Sequence, residues 1–356
     1  MSKFGIAADI GTTNVALALV DLASGEIAAR HDFPNPQRAF GADVISRINA
    51  ANAGHLHEMQ RLISCGISAG TNELRESVGV RGECMKTVIA GNTAMLHLLC
   101  GLSCEGLAKY PFRAEKIPFA CIPRSANTTG AIPHLSPFIG GDVVAGLLYV
   151  MNMPDALPSF LLLDLGTNGE TALYNNGKIT TASAAAGPAF ERTRGGASAT
   201  IAELARLVRI GAIDETGLYK SESRPDEKSH LSQKKIRDLQ LAKSAVRSGL
   251  EILIEESGEP RTVFLAGGIG EAMRVADAVE IGLIPPHFAE KTVAVGNSSL
   301  GGAIRMLVEP AAAQKDLDEI LQNHAEIILA EHPRFNDLFI KFLDFGGIAP
   351  EPPRTF

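Results

Sequence analysis

The sequence predicts an α/β protein of two consecutive domains, each led by a β-hairpin. Three observations carry that prediction. An internal repeat places Leu161-Leu162-Leu163-Asp164-Leu165-Gly166-Thr167 155 residues after Ile6-Ala7-Ala8-Asp9-Ile10-Gly11-Thr12. Apolar strand patterns alternate with helical ones along both halves, the signature of layered α/β architecture. The length of 356 residues fits two domains at roughly 100 to 200 residues each.

Taken in order, Phe4 to Ile10 is an apolar strand that ends at the Asp9-Ile10-Gly11-Thr12-Thr13 turn, and Val15 to Val20 is the strand that follows. Ala23-Ser24-Gly25-Glu26 turns the chain into a third strand, Ile27 to Phe33. Ile139 to Leu148 has helical spacing, and Met153-Pro154 terminates it, so it reads as a connecting helix. The second copy runs from Leu161 through Asp164 and Gly166-Thr167-Asn168-Gly169-Glu170 into Thr171 to Tyr174. Asn175-Asn176-Gly177-Lys178 is a tight hairpin turn, because Asn-Gly accepts the positive φ of type I′ turns. Ile179 to Ser183 is its third strand. Lys220 to Lys235 is polar and reads as a surface loop. Ile236 to Glu256 is a helix, with Ile236, Leu239, Ala242, Val246, Leu250 and Leu253 on one face and Gln240, Lys243 and Arg247 on another. Val263 to Ala266 is a buried strand that runs into Gly267-Gly268-Ile269-Gly270, with a helix from Glu271 to Val279. The domains are therefore placed at 1–150 and 151–305, with 306–356 folding back on them as an added layer.

Composition removes several function classes. Hydrophobic residues at 46% and charged residues at 21% are ordinary for a globular chain, which excludes disorder as the main state. A formal net charge of -7, with no long Lys/Arg block, argues against nucleic acid as a partner. No run of about 18 apolar residues is present, and the N-terminus enters a strand pattern directly, so neither membrane nor export is expected and the assignment is cytoplasmic. Glycine, at 35 residues, exceeds the usual share of about 7%, as expected where backbone loops bind a ligand. The five cysteines, Cys65, Cys84, Cys100, Cys104 and Cys121, contain no C-x-x-C pair. They are expected to be buried, inert thiols rather than disulfides or cluster ligands.

A strand ending in Asp-x-Gly-Thr presents a carboxylate beside a tight glycine turn. Backbone N–H groups of such a turn cradle phosphate oxygens, glycine permits close approach, and threonine hydroxyls add donors. This makes Gly11, Thr12 and Thr13, and Gly166, Thr167 and Asn168, candidate phosphate contacts. The carboxylate needs a cation between itself and phosphate. Mg²⁺ is commonly held by one or two carboxylates plus substrate phosphates with several waters retained, so Asp9 and Asp164, facing across a cleft, are expected to position Mg·ATP. Gly267, Gly268 and Gly270 are the expected seat of the adenosine. Gln240 and Lys243 are candidates for ribose or adenine, against the alternative of a solvated helix face. Asn92 stands at a strand-to-helix junction and is either a γ-phosphate contact or a helix cap. Gly187 precedes an expected helix start, where unpaired N–H groups favour phosphate. Asp43 and Arg47, spaced i,i+4, read as a brace on a surface helix.

These motifs resemble the superfamily of acetate and sugar kinases, heat-shock chaperone ATPases and actin. The resemblance implies two ribonuclease-H-like domains around a nucleotide cleft, with Asp9-Ile10-Gly11-Thr12-Thr13 and Asp164 to Glu170 as phosphate loops, Gly267 to Gly270 as adenosine motif, and Gly140-Gly141-Asp142 as connecting segment. It places Asp142 near the attacking water or acceptor, so Asp9, Asp142 and Asp164 form the expected catalytic set. The strings Asn35-Pro36-Gln37, Phe40 to Ile48, Gly91 to His97, Ala185 to Glu191, Gln240 to Lys243 and Gly296 to Ala303 narrow the resemblance to ATP-dependent reductive activators of corrinoid proteins. The implied function is ATP hydrolysis coupled to reactivation of a corrinoid client. Members that carry electrons have a ferredoxin-like domain. The cysteines of this chain lack cluster spacing, so no iron-sulfur cluster is expected in it, and the resemblance implies a separate ferredoxin-like electron donor. A homodimer is one option for its assembly. A small-molecule kinase and an ATP-gated binding module with another client are the alternatives.

Overall fold

The computed structural model describes residues 3–80, 85–117, 129–154, 158–166, 168–189, 196–220, 229, 231–267 and 273–345. The chain divides into two compact units, residues 1–153 with 298–324, and residues 154–297 with 325–356.

In the first unit β1 (Phe4–Ile10), β2 (Asn14–Asp21), β3 (Ile27–Pro34), β4 (Lys86–Gly91) and β5 (Thr129–Ala131) form a sheet of order β3-β2-β1-β4-β5. Its helices are α1 (Val44–Ala50), α2 (Leu56–Val78), α3 (Thr93–Cys100), the single turn α4 (Glu105–Ala108) and α5 (Gly141–Val150). In the second, β6 (Ser159–Leu165), β7 (Gly169–Asn175), β8 (Lys178–Ala184), β9 (Thr262–Ala266) and β10 (Thr292–Gly296) accompany helices α6 (Gly196–Arg209), α7 (Gln233–Ser257) and α8 (Val275–Glu280). After α9 (Ser298–Val308) and α10 (Pro310–Gln322), β11 (His324–Glu326) completes the order β10-β9-β6-β7-β8-β11, and α11 (Phe335–Lys341) follows. Removing β11 leaves the strand order of the first sheet, so the sequence repeat is also a repeat of topology. The Asn-Gly hairpin turns as its residues require, with φ of 48° at Asn176 and 87° at Gly177.

Strand alternation decides what each face of β1 meets. Ile6, Ala8 and Ile10 point into a core with Leu17, Met59 and Ile63. Gly5, Ala7 and Asp9 take the other face, where α9 packs. That face is built from small residues for a reason. A Cβ on Gly5 would lie 3.2 Å from Leu307, and one on Gly302 of α9 would lie 1.9 Å from the Ala145 carbonyl oxygen of α5. Helices α9 and α5 thus meet backbone to backbone.

This packing changes the division read from the sequence. Residues 298–324 belong with the first unit, because the Gly301-Gly302 face fits only against α5 and β1. Residues from 325 onward return to the second, where the Ile327 N–H donates to the Thr181 carbonyl at 2.8 Å beside β8 and α11 lies on α7. Among the described residues, 306–324 group with the first unit and 325–345 with the second, rather than forming one added layer. The cysteine expectation also needs correction. Cys104 is buried, and burial pushes its thiol up to about 11, whereas Cys65 on α2 is exposed. Cys84 and Cys121 lie outside the described residues, as do residues 221–228 of the polar stretch. Among the described residues no helix is long and apolar enough to cross a membrane.

Candidate functional site

Asp9 is the penultimate residue of β1, opposite Ala16 of antiparallel β2 and Ala90 of parallel β4. It is half-buried, and its Oδ1 accepts from the Ser299 hydroxyl at 2.8 Å. Asp142 stands in the first turn of α5, where its Oδ1 accepts from the Val143 N–H at 2.9 Å. Burial, and then the neighbouring Asp9 charge, push Asp142 up to about 7. Two carboxylates in each other's field need a shared proton or a cation. The chain can bring them together because Gly140 lacks a side chain: a Cβ there would lie 2.5 Å from both the Asn92 Cα and Asp142 Oδ1.

Gly11, Thr12 and Thr13 form the turn between β1 and β2. Asn92 takes the helix-cap role and also reaches the turn. Its Oδ1 caps α3 by accepting from the Met95 N–H at 3.0 Å, while its Nδ2 donates to the Thr12 hydroxyl at 3.2 Å. Sequence reasoning missed the residues behind the turn. Asn35, Arg47 and Ser299 all touch the loop or Asp9, and all three lie in strings quoted for the family resemblance. Arg47 is wholly buried rather than bracing a surface helix, while Asp43 caps α1 through Ser46.

The second unit repeats the placement. Asp164 is penultimate in β6, opposite Glu170 of β7 and Ala266 of β9. Gly166 donates its N–H to the Asn168 carbonyl at 2.9 Å, closing the turn. Gly267 lies directly against Asp164. Its φ is +88°, and a Cβ there would be 2.5 Å from Asp164 Oδ1, so glycine is required on both counts. Gly187, at φ +64°, opens the short 3-10 turn Gly187–Ala189 with no atom within 4 Å of a Cβ position, and the next α-helix begins only at Gly196. Thr167, Gly268 and Gly270 lie outside the described residues.

Gln240 and Lys243 stand on the face of α7 that meets the C-terminal segment. Both are buried under the C-terminal segment: Gln240 Nε2 donates to the carbonyls of Thr216 at 2.9 Å and Leu343 at 3.3 Å, and Lys243 Nζ donates to the Asp344 carbonyl at 2.6 Å. Phe345 lies 5.2 Å from the same ammonium, and the Arg247 guanidinium lies 4.5 Å from the Phe342 ring. The polar face of α7 is thus the seat of a segment about 100 residues further along, a partner that no local pattern announces.

Burial, followed by the Arg247 charge, pulls Lys243 down to about 7. Folded protein therefore holds that proton less tightly than the unfolded chain, whose lysine titrates near 10.4. Above pH 7 the unfolded state binds more protons, so stability rises with pH. Wild type should gain on Lys243→Met by a slope approaching about 1.4 kcal/mol per pH unit between pH 7 and 9. Urea unfolding followed by circular dichroism at pH 7, 8 and 9 checks this, and parallel pH profiles for the two proteins would contradict it.

Two sheets of one strand order, each with an aspartate at the penultimate position of its central strand, define an actin-like, ASKHA-type α/β fold. The chain belongs to the RACo family: residues 4–154 match the RACo middle region, and 159–203 with 194–347 match the C-terminal domain of RACo, the ASKHA domain. It is 28% identical to the corrinoid activation enzyme RamQ of Eubacterium limosum, over 96% of this chain and 70% of that protein. A solved structure of a reductive activator for corrinoid, iron-sulfur protein superposes with a TM-score of 0.82 at 27% identity. That match covers 97% of this chain and 66% of the solved one, so the chain spans just under two thirds of that relative's length.

Proposed function

We propose that this chain binds and hydrolyses Mg·ATP and couples it to reductive reactivation of a corrinoid protein, with the electron supplied by a separate ferredoxin-like donor. The observation that carries the reading is the family match across both units, including 96% coverage by RamQ, a corrinoid activation enzyme. In the first unit Asp9, Asp142, Gly11, Thr12, Thr13 and Asn92 take the phosphate end. In the second, Asp164, Gly166, Thr167, Asn168 and Gly187 form the other phosphate element, and Gly267, Gly268 and Gly270 seat the adenosine.

The donor set suits a hard divalent cation. Asp9 and Asp142 are oxygen donors, and burial, then the Asp9 charge, pushes Asp142 up to about 7. Mg²⁺ commonly keeps several waters and takes one or two carboxylates beside the substrate phosphates, and Asp9 and Asp164 would hold it through those waters. When bound, the ion supplies charge neutralisation between carboxylates and phosphate. The residues themselves position the nucleotide and exclude bulk water, the contributions on which phosphoryl transfer depends. Asp142 orients the attacking water.

The test is ADP formation in the presence of either a corrinoid protein or a mixture of small metabolites. Stimulation by the corrinoid protein, with phosphate released to water, is the expected result. A phosphorylated metabolite that forms only with its acceptor would overturn the reading in favour of a small-molecule kinase.

A further inference from the structure

The turn at residues 11–13 is held from behind by two side chains that the phosphate chemistry does not call for. Asn35, 1% exposed, donates from Nδ2 to the Gly11 carbonyl at 2.8 Å, and its backbone N–H donates to the Thr13 carbonyl at 2.9 Å. Arg47, 0% exposed, donates from Nη2 to the Thr12 carbonyl at 2.6 Å. Three consecutive carbonyls are thus pinned toward the interior. The remaining donors of Arg47 go to the Gly41 carbonyl at 3.0 Å and the Met95 sulfur at 3.2 Å. A buried guanidinium is costly without compensation. Burial, with Arg38 nearby, pulls it down only to about 10, so it stays charged at neutral pH.

A trans peptide is planar, with its N–H pointing away from its C=O. Fixing the carbonyls of Gly11, Thr12 and Thr13 therefore fixes the N–H groups of Thr12, Thr13 and Asn14 on the opposite side. The N–H groups of Thr12 and Thr13 donate to no acceptor among the described residues, although Thr12 is only 7% exposed. A donor on a residue as shielded as Thr12 is expensive to leave unpaired unless a ligand completes it, whereas Thr13 is exposed to solvent. The charge-assisted bond from Arg47 also polarises the peptide whose N–H belongs to Thr13, strengthening it as a donor.

We propose that Asn35 and Arg47 are positioning residues that clamp the carbonyls of residues 11–13 so that the loop's N–H groups are preorganised for the phosphates of ATP. The inference rests on the ATP reading above and adds the device that orders the loop. Neither side chain touches the nucleotide. Both act through the loop backbone, which makes loss of phosphate affinity, rather than of nucleoside affinity, their signature.

The experiment compares Mg·ATP binding by calorimetry with adenosine binding by ligand-observed NMR in Asn35→Asp, Arg47→Met and Arg47→Lys. Asn35→Asp keeps the acceptor for the Gln37 N–H, 2.9 Å away, and removes the amide donor to the Gly11 carbonyl and to the Met95 sulfur, 3.7 Å away. Arg47→Lys retains a single cationic donor. The expected result is Mg·ATP affinity at least tenfold weaker in Asn35→Asp and Arg47→Met, partly recovered in Arg47→Lys, with adenosine affinity within twofold of wild type throughout. Gln37→Leu removes the Gln37 Nε2 bond to the Met59 carbonyl at 3.1 Å; it lowers the unfolding midpoint and leaves Mg·ATP affinity within twofold. Should Arg47→Met fail to fold, Arg47→Lys and Asn35→Asp carry the comparison. Folded variants that bind Mg·ATP as wild type does, or that lose adenosine and Mg·ATP by the same factor, would overturn the clamp alone. Wild type that binds no Mg·ATP at millimolar nucleotide would overturn both the clamp and the ATP reading.

Discussion

Asp9→Asn should lower ATP turnover by at least about 100-fold, the order seen when one preorganised electrostatic group is removed from a transition state, while leaving the unfolding midpoint unchanged or higher. The two halves of that expectation come from one geometry. Asparagine is isosteric and its Oδ1 still accepts from the Ser299 hydroxyl, now 2.8 Å from Asp9, so the packing of α9 against β1 survives. The lost charge is the one that repels Asp142, so that repulsion disappears, while burial still holds Asp142 above the ordinary carboxylate range. A carboxylate retained for stability would behave in the opposite way. Phosphate release measured at saturating Mg·ATP, beside thermal unfolding of the same preparation, checks both halves. Turnover within about threefold of wild type would sink the assignment of Asp9. A lower midpoint that parallels the activity loss would reduce it to a structural role.

Much of this arrangement is legible in the amino-acid sequence, and the reason is local. The hairpins announce themselves through period-two alternation and Asn176-Gly177, whose positive φ values need those residue types. The aspartates are visible because the repeat preserves strand, Asp, apolar residue and glycine together, and the structure gives Asp9 and Asp164 the same register on their neighbours. What could not be read depends on long-range burial. Arg47 four residues after Asp43 is the pattern of an exposed ion pair, and only the tertiary fold turns the guanidinium inward to the Thr12 carbonyl. Lys243 and Gln240 read as a solvated or nucleotide-facing stripe because their acceptors, at Asp344 and Leu343, lie about 100 residues away. One usable signal was present and undervalued. The adjacent Gly301 and Gly302 inside a helical pattern mark a close approach of backbones, and Gly302 is indeed the point where α9 touches Ala145.

On the proposed function, ATP makes an unfavourable electron transfer to a corrinoid protein proceed. A ligand moves an equilibrium only by its differential affinity for two states, and a shift from about 1% to 99% requires roughly 10⁴-fold preference for the favoured one. ATP must therefore favour a client complex in which cobalt is reducible, and the effect of omitting it should be large. The direct measurement follows cobalt reduction by absorbance in a mixture of the purified chain, an oxidised corrinoid protein and a reduced ferredoxin-like donor, with Mg·ATP, Mg·ADP or no nucleotide. Reduction should be at least about tenfold faster with Mg·ATP than in either control, well inside the roughly 10⁴-fold preference that a complete shift requires, and absent from the chain and client without the donor. Reduction at the same rate in all three nucleotide conditions, with client affinity unchanged by nucleotide, would contradict it.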